Sequence, residues 1–434
     1  MRVLLVGASY LPDSVGGVEL HMQGLARALQ AAGHEVAVLC RAGAPDQPHL
    51  SLRRDQHEDV PVFRLANTFE DATTLERLYA HPGIADACLE VVDQWRPDLV
   101  HVHHLTCLST ALLDRLAERG LPTLMTLHDF WMGCPRGQRI TADLRTCPEI
   151  RLERCVPCLR ELWPHLLGEA RAPGAPAEEQ DAGDRALLEQ YHADIQRRLT
   201  GVDQLVTPSA FMARLFEAQG LPPGSVRVVE NGLPTDRYPP PVERGGRAGP
   251  VRIGFIGSVL PSKGVHLLME AFRRLGDPGR ARLDVFGEVL PFHNDRSYGA
   301  RLEALRAGFE ASVTLHGRYD NADLPAILAD LDVVVVPSLW YEAFCLTIRE
   351  AFLAGVPVIT ADHGAMAEAV EDGVSGLLFE PGDVDSLTEA LRRLVGDPVL
   401  RARLGRCRER VRDEADTAAE LLGLYQDLLA GRPS

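Results

Sequence analysis

The sequence predicts an α/β protein made of two doubly wound, Rossmann-like parallel sheets. Short runs of Val, Ile and Leu alternate with longer stretches of helical periodicity, as in βα units. This alternation occurs in two series, separated by a Pro- and Gly-rich stretch between Pro239 and Pro250 that is typical of a linker. The length of 434 residues allows each series its own core. We therefore expect two domains, residues 1–230 and 231–414, that face each other across a cleft.

The elements of the first domain are predicted in chain order. We expect strands at 3–7, 35–40, 99–102 and 123–127, with an amphipathic helix at 18–32 that ends at Gly33. Residues 133–165 form a Cys-rich insertion, and residues 168–184, rich in Ala, Pro, Gly and Glu, predict a flexible loop.

The second domain repeats the alternation. Strands are expected at 251–256, 283–286, 313–315, 333–336 and 357–360. The last helical segment, within 415–434, is expected to pack back on the first domain.

Composition excludes several classes of protein. A formal net charge of −16 argues against a general nucleic-acid binder, and the apolar N-terminal segment, residues 1–7, is a short strand that is too brief for a signal peptide. No apolar run approaches a membrane-spanning length. Nine cysteines, an odd number, do not suggest a disulfide framework. We expect a cytoplasmic protein, with peripheral contact to the inner membrane face as an option.

Lys263 is the only lysine among 45 Lys and Arg residues. It follows a predicted buried strand and a Gly-containing turn, and it precedes a helix. Backbone N–H groups and the helix dipole favour phosphate at such a place, and a lysine adds a compact positive charge. The alternative is that codon usage left one solvated lysine here.

Glu342 and Glu350 are separated by seven residues after the strand at 333–336. If a helix spans 344–354, Glu342 lies in the loop before it and Glu350 lies about two turns further on. The helix would then offer unpaired N–H groups in its first turn, those of Phe344, Cys345, Leu346 and Thr347. An anion on those donors, with a carboxylate at each end for hydroxyl groups, matches the layout of a sugar nucleotide. The alternative is two solvated surface carboxylates.

Six segments, in this order along the chain, carry a resemblance to a known family. They are Gly16-Gly17-Val18-Glu19, Leu127-His128-Asp129, Val229-Glu230-Asn231-Gly232, and residues 257–264, 337–351 and 355–360. Together they resemble the family 4 retaining glycosyltransferases over nearly the whole chain. The resemblance implies the GT-B fold, with the donor bound by the second domain.

The resemblance also implies roles for individual residues. Glu350 would bind the ribose hydroxyls, Glu342 the donor-sugar hydroxyls, and Lys263 the diphosphate. His128 would face the donor sugar near the reacting carbon. Ala343 lies in the same donor-binding loop as Glu342.

Two further points concern the phosphate. Gly16 and Gly17 would let the first loop approach the phosphate or the acceptor closely. Ser258 stands where the family usually has Arg, directly after Gly257. Arg318 is a candidate to supply the missing charge.

The expected reaction moves a hexose-type sugar from a nucleoside-diphosphate sugar to the hydroxyl of a glycan, a lipid-linked or a small-molecule acceptor, with retention of configuration. No metal or other cofactor is expected for catalysis, because Asp330-Leu331-Asp332 has the pattern of a helix end and Asp383-Val384-Asp385 that of a helix cap.

Two other functions stay open at this point. One is a catalytically idle sugar-nucleotide-binding subunit of a glycan biosynthesis complex, which Ser258 suggests and a turnover assay would test. The other is a Rossmann oxidoreductase, which is disfavoured because the stretch from Gly7 to Gly17 lacks G-x-G-x-x-G.

The remaining features concern cysteines, histidines and a basic stretch. Cys134, Cys147, Cys155 and Cys158 include a C-x-x-C pair and are candidates for a structural zinc site; packing cysteines, a redox pair or an iron–sulfur cluster are the alternatives. Three histidines lie at the end of a predicted strand or directly after it: His101, His103 and His104. They are either cleft or core residues or metal ligands.

A basic, apolar stretch contains three arginines: Arg151, Arg154 and Arg160. This stretch either packs on the first domain or meets anionic lipid.

Overall fold

The computed structural model describes residues 1–43, 47–240, 249–276, 279–293 and 295–431. The chain divides into two compact units. The first contains residues 1–138, 148–232 and the C-terminal segment from Glu414, and the second contains 139–147 and 233–413. Most of the predicted linker, residues 241–248, lies outside the described residues.

The first unit is built on an eight-stranded sheet. Its strands are β1 (Arg2–Gly7), β2 (Glu35–Arg41), β3 (Leu52–His57), β4 (Val60–Leu65), β5 (Leu99–Val102), β6 (Thr123–Thr126), β7 (Gln204–Thr207) and β8 (Val226–Val228). Their order is β3-β4-β2-β1-β5-β6-β7-β8. All neighbours are parallel except the antiparallel pair of β3 and β4 at one edge.

Eight helices complete this unit. They are α1 (Gly17–Ala31), α2 (Leu75–Tyr79), α3 (Pro82–Trp95), α4 (Ala111–Glu118), α5 (Leu152–Leu162), α6 (Ala177–Thr200), α7 (Ala210–Ala218) and, last in the chain, α15 (Glu414–Ala430). α15 packs against α1, and its Leu421, Leu424 and Tyr425 are buried in the same apolar cluster as Val3 and Leu5 of β1.

The second unit is built on a six-stranded, fully parallel sheet. Its strands are β9 (Val251–Ile256), β10 (Ala281–Phe286), β11 (Val313–Gly317), β12 (Val333–Val336), β13 (Val358–Ala361) and β14 (Gly376–Phe379), in the order β11-β10-β9-β12-β13-β14. The helices are α8 (Val265–Leu275), α9 (Tyr298–Arg306), α10 (Leu324–Asp330), α11 (Leu346–Leu353), α12 (Gly364–Ala369), α13 (Val384–Gly396) and α14 (Pro398–Leu404).

Two doubly wound parallel sheets are therefore confirmed. Each sheet is wound outwards in both directions from a central pair of strands, β1 and β5 in the first unit and β9 and β12 in the second. Strands such as β12, Val-Val-Val-Val, are apolar throughout because helices cover both faces of a parallel sheet. Ligands of such sheets bind beyond the carboxyl ends of the strands, where the winding direction changes.

The prediction of a flexible loop at 168–184 is wrong for its second half, which is helical. Helix α6 begins at Ala177, after Pro176. Its Asp184 is fully buried and accepts hydrogen bonds from Arg160 Nε at 2.7 Å, Arg171 Nε at 2.7 Å and the backbone N–H of Gly168 at 2.8 Å. These bonds order a segment whose composition alone looks flexible.

Among the described residues, no helix has the length and apolar character that crossing a bilayer requires.

Candidate functional site

In the second unit, the predicted donor residues lie at the carboxyl ends of the central strands β9 and β12. β9 ends at Ile256 and leads through a turn to Lys263, which ends a short 3-10 helix before α8. Gly264 joins the two helices at φ +72°, and a Cβ there would overlap the carbonyl oxygen of Pro337, the residue that follows β12. The two loops thus touch through backbone, which requires glycine at this position.

Lys263 and Glu342 are in direct contact. Lys263 Nζ donates to Glu342 Oε1 at 2.6 Å, and the ammonium lies 5.0 Å from the ring centre of Trp340. Ser338 Oγ and Trp340 Nε1 donate to the same oxygen at 2.7 and 2.8 Å. Three donors therefore converge on one carboxylate oxygen, which leaves Oε2 without a donor from any residue that the structure describes.

The charge on Glu342 is stabilised by this arrangement. Burial alone would raise the pKa of Glu342, but the Lys263 ammonium and the bonds from Ser338 and Trp340 outweigh it, so that its pKa is lowered. The residue is only 8% exposed. A buried, ionised carboxylate held in one orientation is suited to accept hydrogen bonds from hydroxyl groups.

The helix after this loop begins later than expected. α11 starts at Leu346, not at Phe344, because Cys345 takes a left-handed conformation with φ +61° and caps the helix. The Phe344 carbonyl instead accepts a hydrogen bond from the Arg349 guanidinium. Of the four residues predicted to offer first-turn N–H groups, Leu346 and Thr347 do lie in the first turn, whereas Phe344 and Cys345 belong to the loop.

Glu350 lies inside α11 and is partly buried. Burial raises the pKa of Glu350 to about 7, and the Arg237 guanidinium opposes that rise. The carboxylate in turn contributes to raising the pKa of two tyrosines, Tyr238 and Tyr319, whose own burial is the larger cause. Burial therefore dominates the pKa of Glu350, whereas the Lys263 ammonium and two hydrogen bonds dominate that of Glu342.

Ser258, which stands where the family usually has Arg, and Arg318, the candidate to supply the missing charge, are both exposed. Ser258 follows Gly257 at the end of β9, and Arg318 follows Gly317 at the end of β11. Three of the four carboxylates in the two Asp-x-Asp sequences have structural partners. Asp330 pairs with Arg252, Asp332 accepts the backbone N–H of Arg252 at 2.8 Å, and Asp383 caps α13.

In the first unit, the predicted residues lie at the carboxyl ends of the central strands β1, β5 and β6. Gly16 caps α1 and Gly17 begins it, and Glu19 in its first turn accepts a hydrogen bond from Ser9. His128 follows β6 and is 8% exposed. Its Nε2 lies 3.0 Å from Nδ1 of His103, the residue that follows β5.

The histidines after β5 have different surroundings. His101 is fully buried between Tyr425 and Thr126, with ring nitrogens 2.6 and 2.7 Å from their hydroxyls. His104 Nε2 contacts Asp129 at 2.8 Å, and its Nδ1 accepts the N–H of Thr106 at 2.9 Å.

The four predicted zinc ligands do not all belong to the same unit. Cys147 belongs to the second unit, and Cys134, Cys155 and Cys158 belong to the first. These three do not form a close group of potential ligand atoms among the described residues. Arg136 Nη1 lies 3.5 Å from the Cys158 sulfur. The zinc site stays a prediction.

The basic, apolar stretch forms α5, which packs against α6. Its Val156 and Leu159 are buried, and Arg160 binds Asp184. The apolar side of this helix is therefore already covered by protein, as the packed-helix alternative expected.

Sequence reasoning missed the partners that hold the site residues. Ser338 and Trp340 lie four and two residues before Glu342, within the segment that carries the family resemblance, so their spacing was visible. Sequence reasoning also missed His21 on α1, whose ring lies close to those of His103 and His128. A histidine on an amphipathic helix has no distinguishing neighbour in the sequence.

Comparison with family models accounts for most of the chain. Residues 15–237 match the model described as Glycosyltransferase Family 4, and residues 243–410 match the model described as Glycosyl transferases group 1. The first match alone spans just over half of the 434 residues.

Individual proteins are similar over the full length. Glycogen synthase of Mycobacterium tuberculosis is 29% identical over 448 residues, which is 100% of this chain and 95% of that protein. Sucrose-phosphate synthase from Thermosynechococcus elongatus has a TM-score of 0.71 at 21% identity, covering 99% of this chain and 100% of the other. Anabaena HepE in complex with UDP and glucose has a TM-score of 0.68 at 18% identity, covering 98% and 100%.

Proposed function

This chain belongs to glycosyltransferase family 4 and is a glycosyltransferase, and we propose that it moves a hexose-type sugar from a nucleoside-diphosphate sugar to an acceptor hydroxyl, retaining the anomeric configuration and using no metal ion. The observation that carries the proposal is the contact of Lys263 with Glu342 beyond β9 and β12. It brings a cation and an ionised carboxylate together where α/β sheets bind nucleotides.

Stabilisation of the leaving group is the main task of such a site. A nucleoside diphosphate departs with negative charge, which needs a cation more than it needs a proton. Lys263 gives one hydrogen bond to Glu342 and keeps two N–H groups for phosphate oxygens. A unit charge at about 4 Å, with an effective dielectric near 20, contributes about 4 kcal/mol. The first-turn N–H groups of α11 add to this charge.

The two carboxylates take different parts of the donor in this proposal. Glu342 accepts sugar hydroxyls through Oε2, since Oε1 is occupied by its three donors. Glu350 accepts the ribose hydroxyls in its ionised form. By the family resemblance, His128 would act near the reacting carbon.

Retention is what the resemblance to the retaining glycosyltransferases implies, and because the motifs offer no evident enzyme nucleophile we infer a same-face route. A same-face displacement, in which the leaving phosphate takes the acceptor's proton, breaks the sugar–phosphate bond and forms the new glycosidic bond on one face. Metal independence is supported by the roles of Asp330, Asp332 and Asp383, which are committed to an ion pair, a backbone bond and a helix cap.

The proposed partners are a nucleoside-diphosphate sugar and a hydroxyl-bearing acceptor: a glycan, a lipid-linked sugar or a small molecule. The structure of the Anabaena relative with UDP and glucose makes UDP-sugars the first donors to test. We propose a cytoplasmic location, with membrane contact only if the acceptor is lipid-linked.

A donor screen tests the proposal. UDP-, GDP- and ADP-sugars are offered in buffer with EDTA, and both thermal shift and release of the nucleotide are measured, because a ligand of the folded state raises its apparent stability. One donor is expected to bind and turn over, and NMR of the product should show the donor's anomeric configuration. Binding without any turnover across acceptors would support the idle-subunit alternative. An inverted product, or activity abolished by EDTA and restored by Mg²⁺, would contradict the proposal.

A further inference from the structure

Three imidazoles of the first unit lie close together. His21 lies on α1, after β1, while His103 and His128 follow β5 and β6. Each offers a ring nitrogen within 4.8 Å of the other two. The ring centres are 5.5 Å apart for His21 and His103, 5.1 Å for His21 and His128, and 5.2 Å for His103 and His128.

These separations match those of a tetrahedral metal site. With a metal–nitrogen distance of about 2.0 Å and about 1.2 Å from each nitrogen to its ring centre, tetrahedral ligands place the ring centres about 5.2 Å apart. The observed triangle agrees with that value on all three sides.

The hydrogen bonds within the three histidines do not satisfy all of their ring nitrogens. His103 Nδ1 and His128 Nε2, 3.0 Å apart, share one proton, since one nitrogen must donate and the other accept. The second nitrogen of His103, Nε2, is buried and has no hydrogen-bond partner among the described residues. Burial keeps the rings neutral: it lowers the pKa of His21 to about 4, and it lowers the pKa values of His103 and His128 as well. Neutral imidazole is the form that binds metal.

We propose that His21, His103 and His128 form a binding site for a divalent transition-metal ion, with Zn²⁺ as the best-suited ion. Three imidazoles leave a fourth position for water or for a ligand oxygen. The site is separate from the predicted cysteine site and is not required by the proposed reaction. Because the ion would be held by His128, a bound metal would withdraw that residue from the role proposed above and would act as an inhibitor.

A second group in the same unit shows why geometry alone is not enough. His49, Asp71 and His81 also lie close together. However, His49 Nδ1 accepts the N–H of Thr68 at 3.3 Å, and His81 Nδ1 accepts the N–H of Ile84 at 3.2 Å. A neutral ring that accepts at Nδ1 carries its proton on Nε2, the atom that faces Asp71, and therefore has no lone pair for a metal. His49 is thus a matched control.

Cobalt is the probe, because four-coordinate Co²⁺ absorbs visible light and thiolate ligands add a near-ultraviolet band. The protein, purified without a histidine tag and stripped with chelator, is titrated with CoCl₂. We expect one equivalent to give a four-coordinate spectrum without a thiolate band, and Zn²⁺ to displace it.

The variants distinguish the site from its neighbours. His21→Gln should weaken Co²⁺ binding by about 100-fold or more, beyond the loss typical of residues outside the ligand set. His103→Gln should do the same, whereas His49→Gln should bind as the wild type does. Circular dichroism and melting confirm that each variant is folded; His21 is the safer substitution because it is only partly buried. No four-coordinate spectrum, a four-coordinate spectrum that arises only together with a thiolate band, or unchanged binding by folded His21→Gln would overturn the proposal.

Discussion

Lys263 is bound to a buried carboxylate, so its removal has two separable effects. Lys263→Ala takes away the proposed cation for the leaving phosphate, which should lower kcat by about 10²–10³. It also leaves Glu342 buried without its counter-ion, which should cost about 1–3 kcal/mol of folding free energy. Lys263→Arg should recover activity only partly, because a planar guanidinium replaces a compact ammonium.

The double variant Lys263→Ala/Glu342→Gln separates these effects. Neutralising the carboxylate should restore the melting temperature, since no unpaired charge remains. Turnover should stay low, because the cation for the phosphate is still missing and the carboxylate proposed for the sugar hydroxyls is lost as well. Recovery of turnover together with stability would contradict the roles proposed for both Lys263 and Glu342.

Glu350 should make nucleotide binding depend on pH. Its pKa is about 7, and only its ionised form accepts two ribose hydroxyls well. Affinity for the nucleoside diphosphate, measured by calorimetry, should therefore fall as the pH is lowered from 8 to 6. Glu350→Gln should bind more weakly at pH 8 and keep only the dependence that comes from the phosphate itself. Parallel pH profiles for the two proteins would refute the ribose assignment.

The same carboxylate should affect stability in a defined direction. The native state holds the Glu350 proton up to about pH 7, whereas an unfolded chain releases it near its ordinary pKa of 4.5. Stability from this group is therefore present at low pH and is lost as the pH rises through 7. Glu350→Gln, which cannot ionise, should raise the melting temperature more at pH 8 than at pH 5.

At the scale of single elements, the junction of β9 with α8 depends on one glycine. Gly264 and Gly276, at the two ends of α8, both have φ +72°, but an added Cβ would overlap the backbone only at Gly264. Gly276→Ala should cost about 1–2 kcal/mol, the penalty of a left-handed alanine. Gly264→Ala should cost more and should also weaken nucleotide binding, because the Lys263 turn must move away from Pro337.

Urea unfolding and calorimetry of these two variants measure the difference. Gly276→Ala is the matched control for the backbone penalty, since it lies on the same helix with the same φ. Equal destabilisation and equal affinity would show that the contact of Gly264 with Pro337 is unimportant.

The elements themselves were predictable to different degrees. β5, β9 and β12 lie at the predicted positions, because strands buried on both faces appear as uninterrupted Val, Ile and Leu runs. β3, with the sequence Leu-Arg-Arg-Asp-Gln-His, was missed because an edge strand can be polar. The start of α11 was misplaced because a left-handed cysteine has no pattern in the sequence.

The site residues that the family resemblance names could be predicted from the sequence. The contacts between them that depend on the order of the strands in the sheet could not. Glu342 and Lys263 could each be selected from their position after a strand. Their direct contact could not, because it requires β9 and β12 to be neighbours, although β10 and β11 lie between them in the chain.

At the scale of the whole molecule, the chain order and the spatial order differ. α15, the last helix in the chain, completes the core of the first unit after the whole second unit has been made. Tyr425 is fully buried, with its hydroxyl 2.6 Å from His101 Nδ1, and Thr417 Oγ1 donates to the Glu230 carbonyl at 2.8 Å. The first unit therefore cannot close its core until α15, which follows the whole second unit, has been made.

Leu421→Ala tests this dependence. Leu421 is 1% exposed, so its truncation should cost about 2–5 kcal/mol, and the loss should fall on the first unit. Hydrogen exchange should show faster opening in β1 and α1, with β9 and β12 protected as in the wild type. Gln426→Ala, on the exposed side of the same helix, is the control and should change neither unit. If both units lost protection together in Leu421→Ala, they would unfold as one cooperative body. That outcome would contradict the prediction that α15 stabilises the first unit alone.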